Sequence, residues 1–193
     1  AGGQARWGGE WQIKAANFEA VQFDNIQVVA KKSTNLVTNS QNFTSPDFKP
    51  YNTSTPVLNQ PNIDGSNDAV KLSASTINAN QRFIKEFYTT PANSLITASV
   101  VVEKSGNYRY FGMYSNALNS LETHGHVVFD LVDGTVVSES TDGGSGFIHG
   151  AIKDLGSGLF QCELRGQVRA NNNDKTHLDI RIHNSPTVCF FVG

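Results

Sequence analysis

Tyr108-Arg109-Tyr110-Phe111-Gly112-Met113-Tyr114, then His126-Val127-Val128-Phe129-Asp130-Leu131-Val132, then Thr135-Val136-Val137-Ser138 after Asp133-Gly134: this stretch decides the fold. In the first segment Tyr108, Tyr110, Gly112 and Tyr114 share one side of a period of two, and Arg109, Phe111 and Met113 share the other. In the second, Val127, Phe129 and Leu131 oppose His126, Val128, Asp130 and Val132. A pleated strand sends alternate side chains to opposite faces. The rhythm therefore predicts three strands, each with one face for a core and one for solvent or a ligand, and a turn at Asp133-Gly134.

The same rhythm recurs outward in both directions. Ala69–Ser73, Arg82–Tyr88, Leu95–Glu103, Phe147–Lys153, Leu159–Val168, His177–His183 and Thr187–Val192 read as strands. Ile96, Ala98, Val100 and Val102 fall on one face of their segment, and Leu178, Ile180 and Ile182 point inward from theirs. The run Asp154 to Gly158 predicts a hairpin, and Ser105-Gly106-Asn107 and Asn171–Asp174 predict turns. Pro46, Pro50, Pro56 and Pro61 make residues 44–68 a loop region with short edge strands, because proline cannot donate to a ladder. Asn116–Thr123 reads as a loop or a short helical turn, and no helix is convincing. About ten short strands separated by turn signals predict an all-β fold, an antiparallel two-sheet β-sandwich. Jelly-roll order is favoured over an immunoglobulin type, whose Cys…Trp…Cys signature is absent.

A chain of 193 residues fits one such domain with a small appendage. Residues 1–34 read as an N-terminal arm or closing-strand segment ending in the linker Lys31-Lys32-Ser33-Thr34, and residues 35–193 as the sandwich module. Hydrophobic residues make up 38% and charged residues 17%, both low, with Asn, Ser, Thr and Gly in their place, which suits many turns. A net charge of −2 with no basic patch argues against nucleic acid as a partner. No apolar run approaches a membrane span, and Ala1–Trp7 lacks the apolar core of a secretory signal. Cys162 and Cys189 are too few for a disulfide scaffold and sit in apolar runs, as buried free thiols or as a bridge between neighbouring strands.

Asn35-Leu36-Val37-Thr38-Asn39-Ser40-Gln41-Asn42-Phe43 resembles the "NLLTNSEDF" opening of β-sandwich modules in bacteriophage tail and fibre proteins, which are similar to jelly-roll, concanavalin-like carbohydrate-binding modules. Further landmarks follow in order: Ile63-Asp64-Gly65 with Ala69-Val70-Lys71-Leu72, the strand Thr97–Lys104, Val128–Val136, and Ile152–Cys162. The likeness covers roughly residues 35–184 and departs at the end, where Cys189-Phe190-Phe191-Val192-Gly193 replaces the family's last strand. Val21–Val29 resembles that missing strand, so residues 18–30 are expected to close this sandwich or a neighbouring copy. The resemblance implies a non-catalytic virion module that binds cell-surface carbohydrate, with surface glycan and other virion subunits as partners. It implies a homo-oligomer, a trimer if a fibre. Two alternatives stand beside it: a purely structural phage protein, as capsid decoration or tail adaptor, and an extracellular module cut from a polysaccharide-degrading enzyme.

For sugar binding, the candidate platform is Tyr108, Tyr110 and Tyr114, whose rings could stack on apolar C–H faces while Glu163, Arg165, Asp179 and Arg181 bond hydroxyls. Trp7 and Trp11 are the other aromatic candidates. The ordinary reading of all these rings is packing. His124-Gly125-His126, with His149, His177 and His183 scattered, lacks the spacing of a zinc site, so no metal is expected. Asp64–Asp68 and Asn171–Asp174 are rich in oxygen ligands, and modules that this chain resembles sometimes hold a structural calcium; without an EF-hand pattern both read as turns, and no cofactor is expected. No nucleophile elbow, zinc-protease helix or phosphate loop occurs, so no catalytic residue is assigned.

Overall fold

The computed structural model describes residues 48–62, 65–75, 81–87, 90–104, 108–118, 124–141, 147–171 and 176–185. The chain divides into two units, Ala1–Asn35 and Leu36–Gly193, and every described residue belongs to the second. Among the described residues all regular elements are strands: β1 (Phe48–Tyr51), β2 (Val57–Gln60), β3 (Ala69–Lys71), β4 (Arg82–Phe87), β5 (Leu95–Glu103), β6 (Tyr110–Ser115), β7 (Gly125–Asp130), β8 (Thr135–Glu139), β9 (Ile148–Gly156), β10 (Leu159–Gln167) and β11 (Thr176–His183). They form a six-stranded sheet in the order β1-β4-β11-β6-β7-β8, a three-stranded sheet β5-β10-β9 and a small pair β2-β3. Every pairing is antiparallel. The all-β expectation holds, and the two larger sheets face each other across one core in a β-sandwich-like arrangement.

That core follows from the dyad pattern. Phe111 and Met113 on β6, Val127 and Phe129 on β7 and Ile180 on β11 point from the larger sheet toward Ile148, Phe160, Cys162 and Leu164 on the smaller. Phe111 and Phe129 are direct cross-strand partners with ring centroids 6.2 Å apart. Burying one such side chain contributes about 1.5–3 kcal/mol. On β5, Ile96, Ala98, Val100 and Val102 pack against the same core while their neighbours face out. Cys162 is a free thiol with no exposed surface. Burial pushes it up to about 12, which leaves it a small apolar filler rather than a nucleophile.

Where the elements differ from expectation, local hydrogen bonding explains the shift. The second strand was expected to reach Val132 but ends at Asp130. The buried Asp130 carboxylate accepts the backbone N–H of Val132 at 2.8 Å and of Asp133 at 3.2 Å, which turns the chain early. Arg109 Nε donates to the same carboxylate at 2.7 Å. Burial pushes this carboxyl up, but the Arg109 and backbone bonds outweigh that and hold it below its ordinary value. Tyr108 precedes β6 rather than opening it. The expected hairpin is present: Ser157 and Gly158 between β9 and β10 have φ of 55° and 80°, the left-handed pair a tight two-residue turn needs. Pro50 lies on the edge strand β1, opposite Phe83, where a missing N–H costs no inner ladder bond. Asn116 and Ala117 form a turn, and Leu118 then enters the core and bridges Val168. Among the described residues no helix is long and apolar enough to cross a membrane. The expected strands at residues 18–30 and 187–192 lie outside the described residues, as do Trp7, Trp11 and Cys189.

Candidate functional site

The face of the six-stranded sheet turned away from the core is polar along its centre. On β11, His177, Asp179, Arg181 and His183 alternate with the inward Leu178, Ile180 and Ile182. The register lays their neighbours beside them. Ile84, Asp179, Tyr114 and His126 form one row across β4, β11, β6 and β7. Tyr51, Arg82, Arg181 and Gly112 form the next, across β1, β4, β11 and β6.

Asp179 is the centre. Its side chain is fully buried, and its Oδ2 accepts from Arg181 Nη2 at 2.9 Å and from Arg82 Nη1 at 3.5 Å. Its Oδ1 lies 3.6 Å from His177 Nε2, beyond hydrogen-bonding distance. Among the described residues of this face, five buried polar atoms have no hydrogen-bond partner: Asp179 Oδ1, His177 Nε2, Arg82 Nε, Arg181 Nε and His183 Nδ1. The arginines are not equivalent, since the Arg82 side chain keeps 26% of its surface exposed and Arg181 only 10%.

Tyr114 is enclosed. Its hydroxyl is 2.9 Å from His183 Nε2, the Arg181 guanidinium lies 3.7 Å from its ring centroid on the β11 side, and His126 stacks at 4.8 Å from the β7 side. Gly112 makes room for this, because a Cβ there would stand 2.6 Å from His183 Nε2 and 2.8 Å from Tyr114 Cε2. Burial, reinforced by the Arg181 charge, pushes the His183 imidazole down to about 4. Burial also lowers His177, against the pull of Asp179, and lowers His124, whose ring sits 5.3 Å from that of His177. The His183 imidazole is therefore neutral at pH 7, and burial favours the neutral form of His177 and His124 as well. Formal charge here is carried by one carboxylate and two guanidiniums, with Lys49 and Glu86 paired at 2.8 Å on the rim. Among the described residues, no three His, Cys, Asp or Glu side chains are grouped to hold a metal ion.

Of the residues singled out from sequence, Tyr110, Tyr114, Asp179 and Arg181 do share this face. Tyr114 is enclosed packing, not an open stacking ring. Tyr108 is half-buried ahead of β6. Glu163 and Arg165 do not join the site: they face outward from β10 in the other sheet, across the core, and bond each other. Their spacing gave the right parity but not the layer. Trp7 and Trp11 lie outside the described residues. The residues missed are Arg82, His177, His183, His126 and Tyr51. His177 and His183 were legible, because they continue the outward set of Asp179 and Arg181; Arg82 and Tyr51 come from strands whose neighbours only the register defines. Tyr51 is the open aromatic ring of the face, 49% exposed, with the Arg82 guanidinium 4.6 Å from its centroid. In the described part of the Asp64–Asp68 loop, Asp68 Oδ1 accepts from Asn62 at 2.6 Å and from Ser66 at 2.5 Å.

No protein-family model matches this sequence, and no curated protein matches it.

Proposed function

We propose that this chain is a non-catalytic carbohydrate-binding module of a bacteriophage virion, a tail, fibre or surface protein, and that it binds sugar on the outer face of its six-stranded sheet. The observation that carries the reading is the exposed Tyr51 ring with the partly exposed Arg82 guanidinium 4.6 Å from its centroid, an apolar face and a hydrogen-bond donor side by side on a sheet surface. A sugar fits: its hydroxyls both donate and accept, and its C–H face can lie on Tyr51. The virion setting rests on the ordered likeness of residues 35–184 to phage modules. The chain passes between sheets from β4 to β5, β5 to β6, β8 to β9 and β10 to β11, which supports a jelly-roll winding. Single sites of this kind bind weakly, on the order of millimolar to micromolar, with avidity from repeated copies in a homo-oligomer.

A structural role is the second reading, favoured by Leu95 and Val101, which are 65% and 45% exposed on the outer side of β5. Such residues suit contact with another virion subunit. A glycan array probed with the chain displayed multivalently separates the two. Binding that Tyr51→Ala and Arg82→Gln abolish supports the carbohydrate reading; no binding to any glycan sinks it in favour of the structural one.

A further inference from the structure

Arg82 and Arg181 stand directly opposite each other on β4 and β11. Like charges opposed across a strand pair repel, and the arrangement is tolerable only with anions between them. Asp179 supplies one, and through a single oxygen. Among the described residues, the other carboxylates of this face are paired with other cations, Glu86 with Lys49 and Asp130 with Arg109. Among the described residues two guanidiniums thus share one carboxylate, a surplus positive charge in a largely desolvated place. A guanidinium recognises a carboxylate in particular, because its fork of N–H donors matches the two oxygens.

Resting on the carbohydrate reading above, we infer that the sugar bound here is acidic: a uronic-acid type residue whose carboxylate docks on the partly exposed Arg82 guanidinium, with the Arg181 charge behind it. The carboxylate neutralises the surplus charge, and Tyr51, beside Arg82 in the register, covers one face of the ring.

The test compares oligomers of galacturonate, glucuronate, mannuronate and sialic acid, each beside its methyl ester, by calorimetry or biolayer interferometry on the full chain. Esterification removes the charge and keeps the skeleton. At least one acid is expected to bind tenfold or more tighter than its ester. Arg82→Gln, at the partly exposed rim, is expected to erase that difference while its melting curve stays within a few degrees of the parent. Equal binding of acid and ester, or tight binding only of neutral glycans, overturns the acidic assignment and leaves the carbohydrate reading intact. A phosphorylated glycan that outcompetes every uronate overturns the carboxylate in favour of phosphate. Absence of binding to acidic, neutral and phosphorylated glycans alike removes the parent reading, and this one with it.

Discussion

The Tyr114 hydroxyl meets His183 Nε2 at 2.9 Å, and the two side chains close over Gly112, which has no side chain to obstruct them. The contact crosses from β6 to β11 on the polar face, so it ties the floor of the candidate site to the centre of the sheet. Gly112→Ala places a methyl within 3 Å of both partners, closer than packing permits. The expected loss is about 1–3 kcal/mol. Tyr114→Phe, which removes only the hydroxyl, is expected to cost about 1 kcal/mol. Chemical denaturation of the two variants checks this, and a Gly112→Ala protein as stable as the parent would contradict the packing described.

Asp179 holds two cations in a place with little water. Asp179→Ala leaves Arg181 buried without its counter-charge, and the expected cost is about 3–5 kcal/mol. Replacing Arg181 as well, in the double variant Asp179→Ala with Arg181→Met, removes the stranded charge and is expected to recover part of that loss. Thermal melts of the single and double variants decide it. Equal stability of the two would mean the pair is not coupled as the geometry requires.

Stability should depend on pH through His183. Its neighbours are Arg181 on its own strand, Tyr114 on β6 and His126 on β7, and none of them is an anion. The imidazole titrates near its ordinary 6.5 in the unfolded chain and at about 4 in the folded one. Between those values the unfolded state takes up a proton that the folded state refuses, so stability falls as the pH drops from about 6.5 toward about 4 and this contribution levels off below it. The loss amounts to at most about 3 kcal/mol, and His177 and His124, also lowered, act in the same direction. Urea midpoints measured at pH 7, 6, 5 and 4.5 give the curve. A His183→Gln variant with an unchanged slope would refute the assignment.

Ser157 holds φ at 55°, a conformation that asparagine tolerates better. With Gly158 after it, Ser157→Asn completes the preferred pair for this turn and should raise stability by about 0.5 kcal/mol. A lower denaturation midpoint would show that the turn is set by something other than its backbone preference.

Cys162, buried and pushed up to about 12, should resist thiol reagents at pH 8 in the native chain and react at once in guanidinium. Peptide mapping after brief alkylation distinguishes it from Cys189. Prompt labelling of Cys162 without denaturant would mean that the core is open to solvent.

The period of two in Tyr110–Ser115, Gly125–Asp130, Leu95–Glu103 and Thr176–His183 was enough to assign strand and face, because each buries one face and the apolar side chains must follow the pleat. The same parity marked Asp179 and Arg181 as outward residues. It could not tell which outward residues are neighbours. Arg165 and Arg181 have the same pattern in sequence, yet one faces out from the three-stranded sheet beside Thr97 and His149, and the other sits between Arg82 and Gly112. Sequence alone therefore determined that this chain builds antiparallel sheets around an aromatic and aliphatic core, since alternation is a local property of consecutive residues. Only the tertiary structure decided that Arg82, Asp179 and Arg181 form one desolvated cluster, and that Tyr51 rather than Tyr114 offers an open ring. Strand order and register are set by pairings between segments far apart in the chain, such as Arg82 with Arg181, and no local pattern encodes them.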